Sequence, residues 1–203
     1  VSQLDADLAT LIEADAALLA AGAAPFALPV AGLEAVVVGA VRGLSRADWW
    51  LPGLRERVGA VLRGVPVERL IDGFTGARPY HVATSAPAPA LRALHAVGLA
   101  LSDPERVVLV HLGIGSVADG AFHEALNLAA LHDARVIFLV AVHPLVGAPV
   151  PRQTAATPSG LAEAFGVRTL VVDGRDAESV RSAVEEARTE DGPTVIEARL
   201  YEA

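Results

Sequence analysis

The residues best placed for chemistry form one glycine-rich turn, His111-Leu112-Gly113-Ile114-Gly115-Ser116-Val117-Ala118-Asp119-Gly120. Glycines at 113 and 115 let the backbone turn sharply and approach a ligand closely. A helix expected from about residue 117 to 132, capped by Ser116, would aim its first amides at the same spot and favour an anion there. The third glycine is misplaced for the dinucleotide fingerprint, so a dinucleotide is not the indicated ligand. The same glycines also suit a plain strand-to-helix turn with no ligand at all.

Other chemistry-bearing side chains are scattered. His111 and His143 fall at expected strand ends, where they read either as two partly exposed rim residues or as a pair of metal ligands on neighbouring strands. His123-Glu124 is followed by Asn127 rather than histidine, so the helical zinc-protease motif is absent. His95 and His132 read as helix-surface residues, and His81 lies in a loop. Ser85, Ser116 and Ser159 are isolated, and none sits in a Gly-x-Ser-x-Gly elbow. Trp49-Trp50 reads as a core or interface pair, Glu185-Glu186 as a solvated helix face, and Arg152 as an exposed loop cation. The absence of cysteine excludes disulfides, zinc-thiolate sites and a thiol nucleophile.

The elements that must position the turn follow from periodicity. Leu4, Leu8, Leu11, Ile12, Leu18 and Leu19 recur at helical spacing within residues 1–24, with Ser2 as cap and Gly22 as stop. Gly32 to Gly43 reads as a buried helix, residues 53–64 and 66–73 as two short helices, and 90–101 as another. Residues 77–89 hold several prolines and read as a loop. Val107–His111, Arg135–Val142, Thr169–Val172 and Thr194–Arg199 are short apolar runs bounded by turn signals, expected as buried strands. Helices over 158–165 and 176–190 alternate with them. That alternation predicts an α/β domain spanning 1–203, a parallel sheet with helices on both faces. In such sheets ligands bind beyond the carboxyl ends of the strands, which singles out loops 111–117, 142–154 and 173–176.

Composition limits the partners. Of 203 residues, 53% are hydrophobic and 20% charged, enough apolar material for a packed core. A net charge of -8 is ill suited to a nucleic acid, whose binding rests on neutralised phosphates. No apolar run has the length of a membrane span, and the acidic start Asp5, Asp7, Glu13, Asp15 is unlike a secretory signal, so the cytoplasm is the expected location.

Gly113, Gly115, Gly120 and the run Phe122-His123-Glu124-Ala125-Leu126-Asn127 carry a more specific signal. The stretch resembles the thiamine-diphosphate motif of the alpha subunits of pyruvate, branched-chain and acetoin dehydrogenases, Gly-Asp-Gly-Ala-Thr-Ser-Glu-Gly-x-Phe-His-Glu-Ala-Leu-Asn. Further pieces are similar to that family in order: Gly32-Leu33-Glu34-Ala35, Leu51-Pro52-Gly53-Leu54-Arg55-Glu56-Arg57, Arg63-Gly64-Val65-Pro66 and Phe74-Thr75-Gly76 upstream; Arg152-Gln153-Thr154-Ala155, Phe165-Gly166-Val167, Val172-Asp173-Gly174 and Gly192-Pro193-Thr194-Val195 downstream. The resemblance implies a three-layer thiamine-diphosphate-binding fold. It also implies thiamine diphosphate with magnesium as cofactors, and oxidative decarboxylation of a 2-oxoacid with acyl transfer to a lipoyl group. The partners it implies are a beta subunit in an alpha/beta heterotetramer, or a second copy in a homodimer.

Departures from the family pattern fall on the cofactor machinery. The magnesium-binding aspartate of Gly-Asp-Gly is matched by Ile114, and the Asn pair after the next strand by Val142 and His143. A hard cation takes oxygen ligands, which isoleucine and valine do not offer. The family's Tyr-Arg-x-His is matched by Leu54, Arg55 and Arg57; its Gly-x-x-Gly-x-Gln segment by Pro87 to Arg92; and its Ser-Met-His loop has little room within the shortened loop 77–89. Residual cofactor-facing positions are Arg55, Gly113, Gly115, Ser116 and His143, and no catalytic residue or metal ligand is assigned. A helix terminus contributes about 1 kcal/mol to anion binding, whereas micromolar affinity takes about 8 kcal/mol. Tight magnesium-dependent binding of thiamine diphosphate is therefore not expected, and a non-catalytic dimerisation or scaffold role is the alternative to the enzymatic one.

Overall fold

The computed structural model describes residues 2–22, 28–74, 76–83, 88–143 and 154–201. Helix α1 (Gln3–Ala21) is opened by a capping box between Ser2 and Asp5 and closed by Gly22 in the left-handed region, as the spacing predicts. Helix α2 (Glu34–Gly43) and strand β1 (Trp49–Leu51) follow, then a 3-10 segment Glu56–Arg63 and α3 (Val67–Ile71). After a 3-10 turn at Arg78–Tyr80 come α4 (Leu91–Ser102), β2 (Val108–Gly113), α5 (Ile114–Val117) and α6 (Gly120–Leu131). The chain continues through β3 (Val136–Val142), α7 (Pro158–Ala164), β4 (Arg168–Asp173), α8 (Ala177–Thr189) and β5 (Thr194–Arg199).

The five strands pair in the order β1-β2-β3-β5-β4, every pairing parallel. Alternation along each strand sends side chains into two separate apolar layers. Leu109, Ile137, Leu139, Ile196 and Ala198 pack with Trp50 under α1, α2 and α8. Val108, Val110, Leu112, Phe138, Val140 and Val195 pack with Trp49 and Leu51 under α4 and α6. The expected sheet with helices on both faces is therefore present. Its helices α2 and α8 touch with almost no gap: a Cβ on Gly39 would lie 2.6 Å from the Ala177 carbonyl oxygen, and one on Gly43 2.5 Å from Val184 Cβ.

Trp49-Trp50 is a buried core pair, one of the two readings the sequence offered, and stands in strand β1, which three apolar residues among prolines and glycines are too short to announce. Three local expectations need correction. Of residues 53–64, expected as a short helix, only Glu56–Arg63 are helical, as a 3-10 segment. The single helix expected over 117–132 is two, because Ala118 and Asp119 interrupt it. Ser116 therefore caps nothing; it lies inside α5, and Asp119 caps α6 by accepting from the Ala121 amide at 2.9 Å. Among the described residues no helix is long and apolar enough to cross a membrane.

Candidate functional site

Strands β1, β2 and β3 end side by side, and the segments leaving them enclose a cavity of about 360 Å3. The turn after β2 enters α5 directly, so Gly113, Ile114, Gly115 and Ser116 form one wall. Ala141 and His143 close the β3 side, and Leu54, Arg55 and Glu56 approach from the segment after β1. Pro89, Ala90 and Arg92 supply the α4 side. All five residual positions named from the sequence, Arg55, Gly113, Gly115, Ser116 and His143, thus line one cavity. The fold explains why: in a parallel sheet the carboxyl ends share an edge.

The polar groups differ in how far they are committed. Arg55 donates from Nε to the Pro29 carbonyl at 2.9 Å and from a terminal nitrogen to that of Ala31 at 2.6 Å, so much of its guanidinium ties the chain before α2. Arg92 is only 5% exposed, with one described hydrogen bond, to the His111 carbonyl at 3.2 Å, while its Nε has no partner. Burial lowers the pKa of Arg92, and the carboxylate of Glu56 opposes that shift. Gly53 has to be glycine here, since a Cβ would sit 2.2 Å from Glu56 Oε2 and 3.1 Å from Arg92.

Ile114 and Val142 are 4% and 1% exposed and belong to the apolar layer under α4 and α6. The Val142 carbonyl oxygen is already taken by the Leu200 amide at 2.9 Å. Both side chains also border a second cavity of about 280 Å3, which Glu197 lines. That carboxylate already has partners on both oxygens: it accepts from the Ser159 amide at 3.1 Å, the Ser159 hydroxyl at 2.8 Å and Arg199 at 2.8 Å. Among the described residues no group of three or more His, Asp or Glu side chains could hold a metal ion.

Several sequence expectations are redirected. His111 is not on the rim: it lies inside β2, 1% exposed, with its ring edge-on to Trp50 at 5.7 Å. Burial pushes its pKa down to about 3, with nearby Arg92 adding to the effect, so the ring is neutral at pH 7. It is not among the residues that share the cavity with His143, which removes the two-histidine metal reading. His95 and His132 are exposed, as expected. Loop 173–176 belongs to β4, the edge strand furthest from β1, and lines neither cavity. Arg152 and Ser85 lie outside the described residues. Sequence reasoning missed Glu56, Arg92 and Asp119 as lining residues. Arg92 had a usable signal, since it shares the inward helical register of Ala93, Ala96, Val97 and Ala100.

A parallel sheet whose cavity opens at the carboxyl ends, walled by a glycine turn that runs into a helix, is the arrangement of the thiamine-diphosphate-binding fold. The chain belongs to the family described as "Dehydrogenase E1 component", whose model matches residues 4–203. It is 35% identical over 193 residues to the 3-methyl-2-oxobutanoate dehydrogenase subunit alpha of Mycobacterium tuberculosis, covering 85% of this chain and 52% of that protein. It is 32% identical over 196 residues to the pyruvate dehydrogenase E1 component subunit alpha of Staphylococcus aureus, covering 87% of this chain and 52% of that protein. The chain thus spans about half the length of these curated relatives. In fold it is similar to the transketolase of Campylobacter jejuni, with a TM-score of 0.76 at 18% identity over 97% of this chain and 37% of that one.

Proposed function

We propose that this chain is an alpha-type member of a dehydrogenase E1 assembly that no longer grips a magnesium-diphosphate group by itself, and that it serves as a non-catalytic subunit beside a beta-like partner. The observation that carries the reading is the burial of Ile114 and Val142 where the family pattern has oxygen ligands. The donor set does not fit a hard divalent cation: two aliphatic side chains provide no oxygen, and the Val142 carbonyl already has a donor. Filling those positions with packed apolar groups stabilises the layer by roughly 25 cal/mol per Å2 buried.

Calorimetry with thiamine diphosphate and magnesium tests it. No saturable heat is expected in the micromolar range, and a micromolar dissociation constant that needs magnesium would overturn the proposal.

A second reading keeps the enzyme: an alpha subunit for oxidative decarboxylation of a 2-oxoacid and acyl transfer to a lipoyl group, working in an alpha/beta heterotetramer. What favours it is the retained cavity, where Arg55, Gly113, Gly115, Ser116 and His143 still converge. Co-expression with a beta-like subunit, followed by a 2-oxoacid decarboxylation assay, separates the two. Turnover that depends on this chain supports the enzymatic reading. A stable complex or homodimer without turnover supports the non-catalytic one.

A further inference from the structure

The amino end of the sheet carries a second cavity of about 360 Å3, away from the site above. It lies where α2 turns into β1, between Leu44–Ala47, the end of the 3-10 segment at Arg63, and Pro79–His81. Arginines 42, 46 and 63 all line it, and among the described residues no Asp or Glu does, in a protein whose net charge is -8.

The positive charge there is only partly cancelled. Arg42 is paired with Asp7 through two contacts of 2.5 Å. Among the described residues Arg63 donates to neutral acceptors alone, the carbonyls of Tyr80 at 2.8 Å, Asp48 at 2.8 Å and Arg46 at 3.1 Å, so its guanidinium is held in place with no carboxylate bonded to it. Arg46 is exposed, and its side chain makes no hydrogen bond or ion pair with the described residues. The other buried carboxylate close by, Asp48, accepts from the Val107 and Ser45 amides and from Arg188. The wall opposite is held in an uncommon shape: His81 has φ +49°, in the left-handed region, and its ring packs edge-on against Trp49 at 5.0 Å.

We propose that this cavity is a binding site for a small phosphate-bearing anion, held by the guanidinium groups of Arg46 and Arg63 with Arg42 at its edge. The guanidinium of Arg46 presents a planar fork that matches phosphate oxygens, and Arg63, whose Nε and one terminal nitrogen are held by carbonyls, adds its remaining nitrogen and its charge, a pair suited to a dianion. The volume sits at the low end for ligand pockets, which suits a compact molecule rather than a polymer. The local field agrees. His81 is held below its ordinary pKa by burial and then by Arg106, Arg63 and Arg78, against Asp103 alone. Arg63 is lowered to about 10 by burial, with Arg46 adding to the fall and Asp48 opposing it, and it remains charged at pH 7.

The test is a two-dimensional amide NMR titration with inorganic phosphate and with pyrophosphate, at constant ionic strength set by chloride. Saturable shifts are expected at the amides of residues 44–47 and 80–81, with a dissociation constant of about 1 mM or tighter. Arg46→Glu is expected to weaken binding at least about tenfold, and Arg46→Lys to retain part of it; because that side chain is exposed and unbonded, both variants should keep a folded spectrum. Shifts confined to the amides of residues 113–116, an unchanged affinity in Arg46→Glu, or no saturation well beyond about 10 mM would each overturn the proposal.

Discussion

The two ends of one sheet have been treated in opposite ways. At the carboxyl end, where parallel sheets gather ligands, the positions that would face a cation are aliphatic and almost wholly buried: Ile114 and Val142. At the amino end, which the fold does not reserve for ligands, three guanidiniums surround an open cavity without a lining carboxylate among the described residues. Similar volumes of space therefore carry different chemistry. The fold decides where a cavity forms, and the side chains decide what it can hold.

The sharpest way to break that contrast is to restore an aspartate at the carboxyl end. Ile114→Asp puts an ionised group among apolar neighbours and is expected to cost about 3 kcal/mol or more, read as a fall in the urea midpoint. Magnesium with thiamine diphosphate should not recover the midpoint, because Val142 adds no ligand. Recovery on adding the metal would show that the cation seat survives.

A smaller effect separates half-buried Arg63 from buried Arg92. Arg63→Met removes hydrogen bonds to three carbonyls and is expected to cost about 2 to 3 kcal/mol. Arg92→Met, made together with Glu56→Gln so that no buried carboxylate is left without its cation, removes one hydrogen bond and an unpartnered Nε, so its cost should stay below about 1 kcal/mol. Equal losses from the two, measured by chemical denaturation, would mean that the guanidinium at the carboxyl end is anchored as firmly as the other.

An effect that appears only on acidification concerns His111, the titratable group behind the carboxyl-end cavity. In the unfolded chain an imidazole takes up its proton near pH 6.5, whereas the buried ring stays neutral down to about 3. Between those values the unfolded state binds more protons, so stability carries no His111 penalty above about pH 6.5 and loses ground as the pH falls. By pH 5 the loss reaches about 2 kcal/mol. His111→Phe should flatten that part of the profile relative to the parent protein. Parallel profiles would show that the ring finds a proton-accepting environment after all.

Much of this was legible in the sequence where a pattern is long. The apolar runs of β2, β3 and β5, the capped helices α1 and α8, and the glycine turn at 113–115 were all readable because period and punctuation agree over many residues. Arg55, Gly113, Gly115, Ser116 and His143 were named through the resemblance to the family's cofactor site, and they line one cavity. Short or non-local features were not readable. β1 is three residues long and owes its pairing to Val108–Val110. His111 looked like a rim residue because β2 runs on to Gly113, past the point where its apolar run seemed to stop. The Arg46–Arg63 cavity joins segments that no local spacing connects.

The glycine contact between α2 and α8 has a consequence for how the chain is made. Gly39 and Gly43 fit against Ala177 and Val184, and nearby Arg188 reaches Asp48 across 140 residues of sequence at 2.6 Å. During synthesis the apolar face of α2, with Val36, Val37 and Val41, leaves the ribosome long before its mate exists. Such late-closing contacts slow folding and leave sticky surface uncovered in the interval. The stretch around residues 36–41 is therefore where a nascent chain would be expected to need shielding, and where an incomplete product would first aggregate.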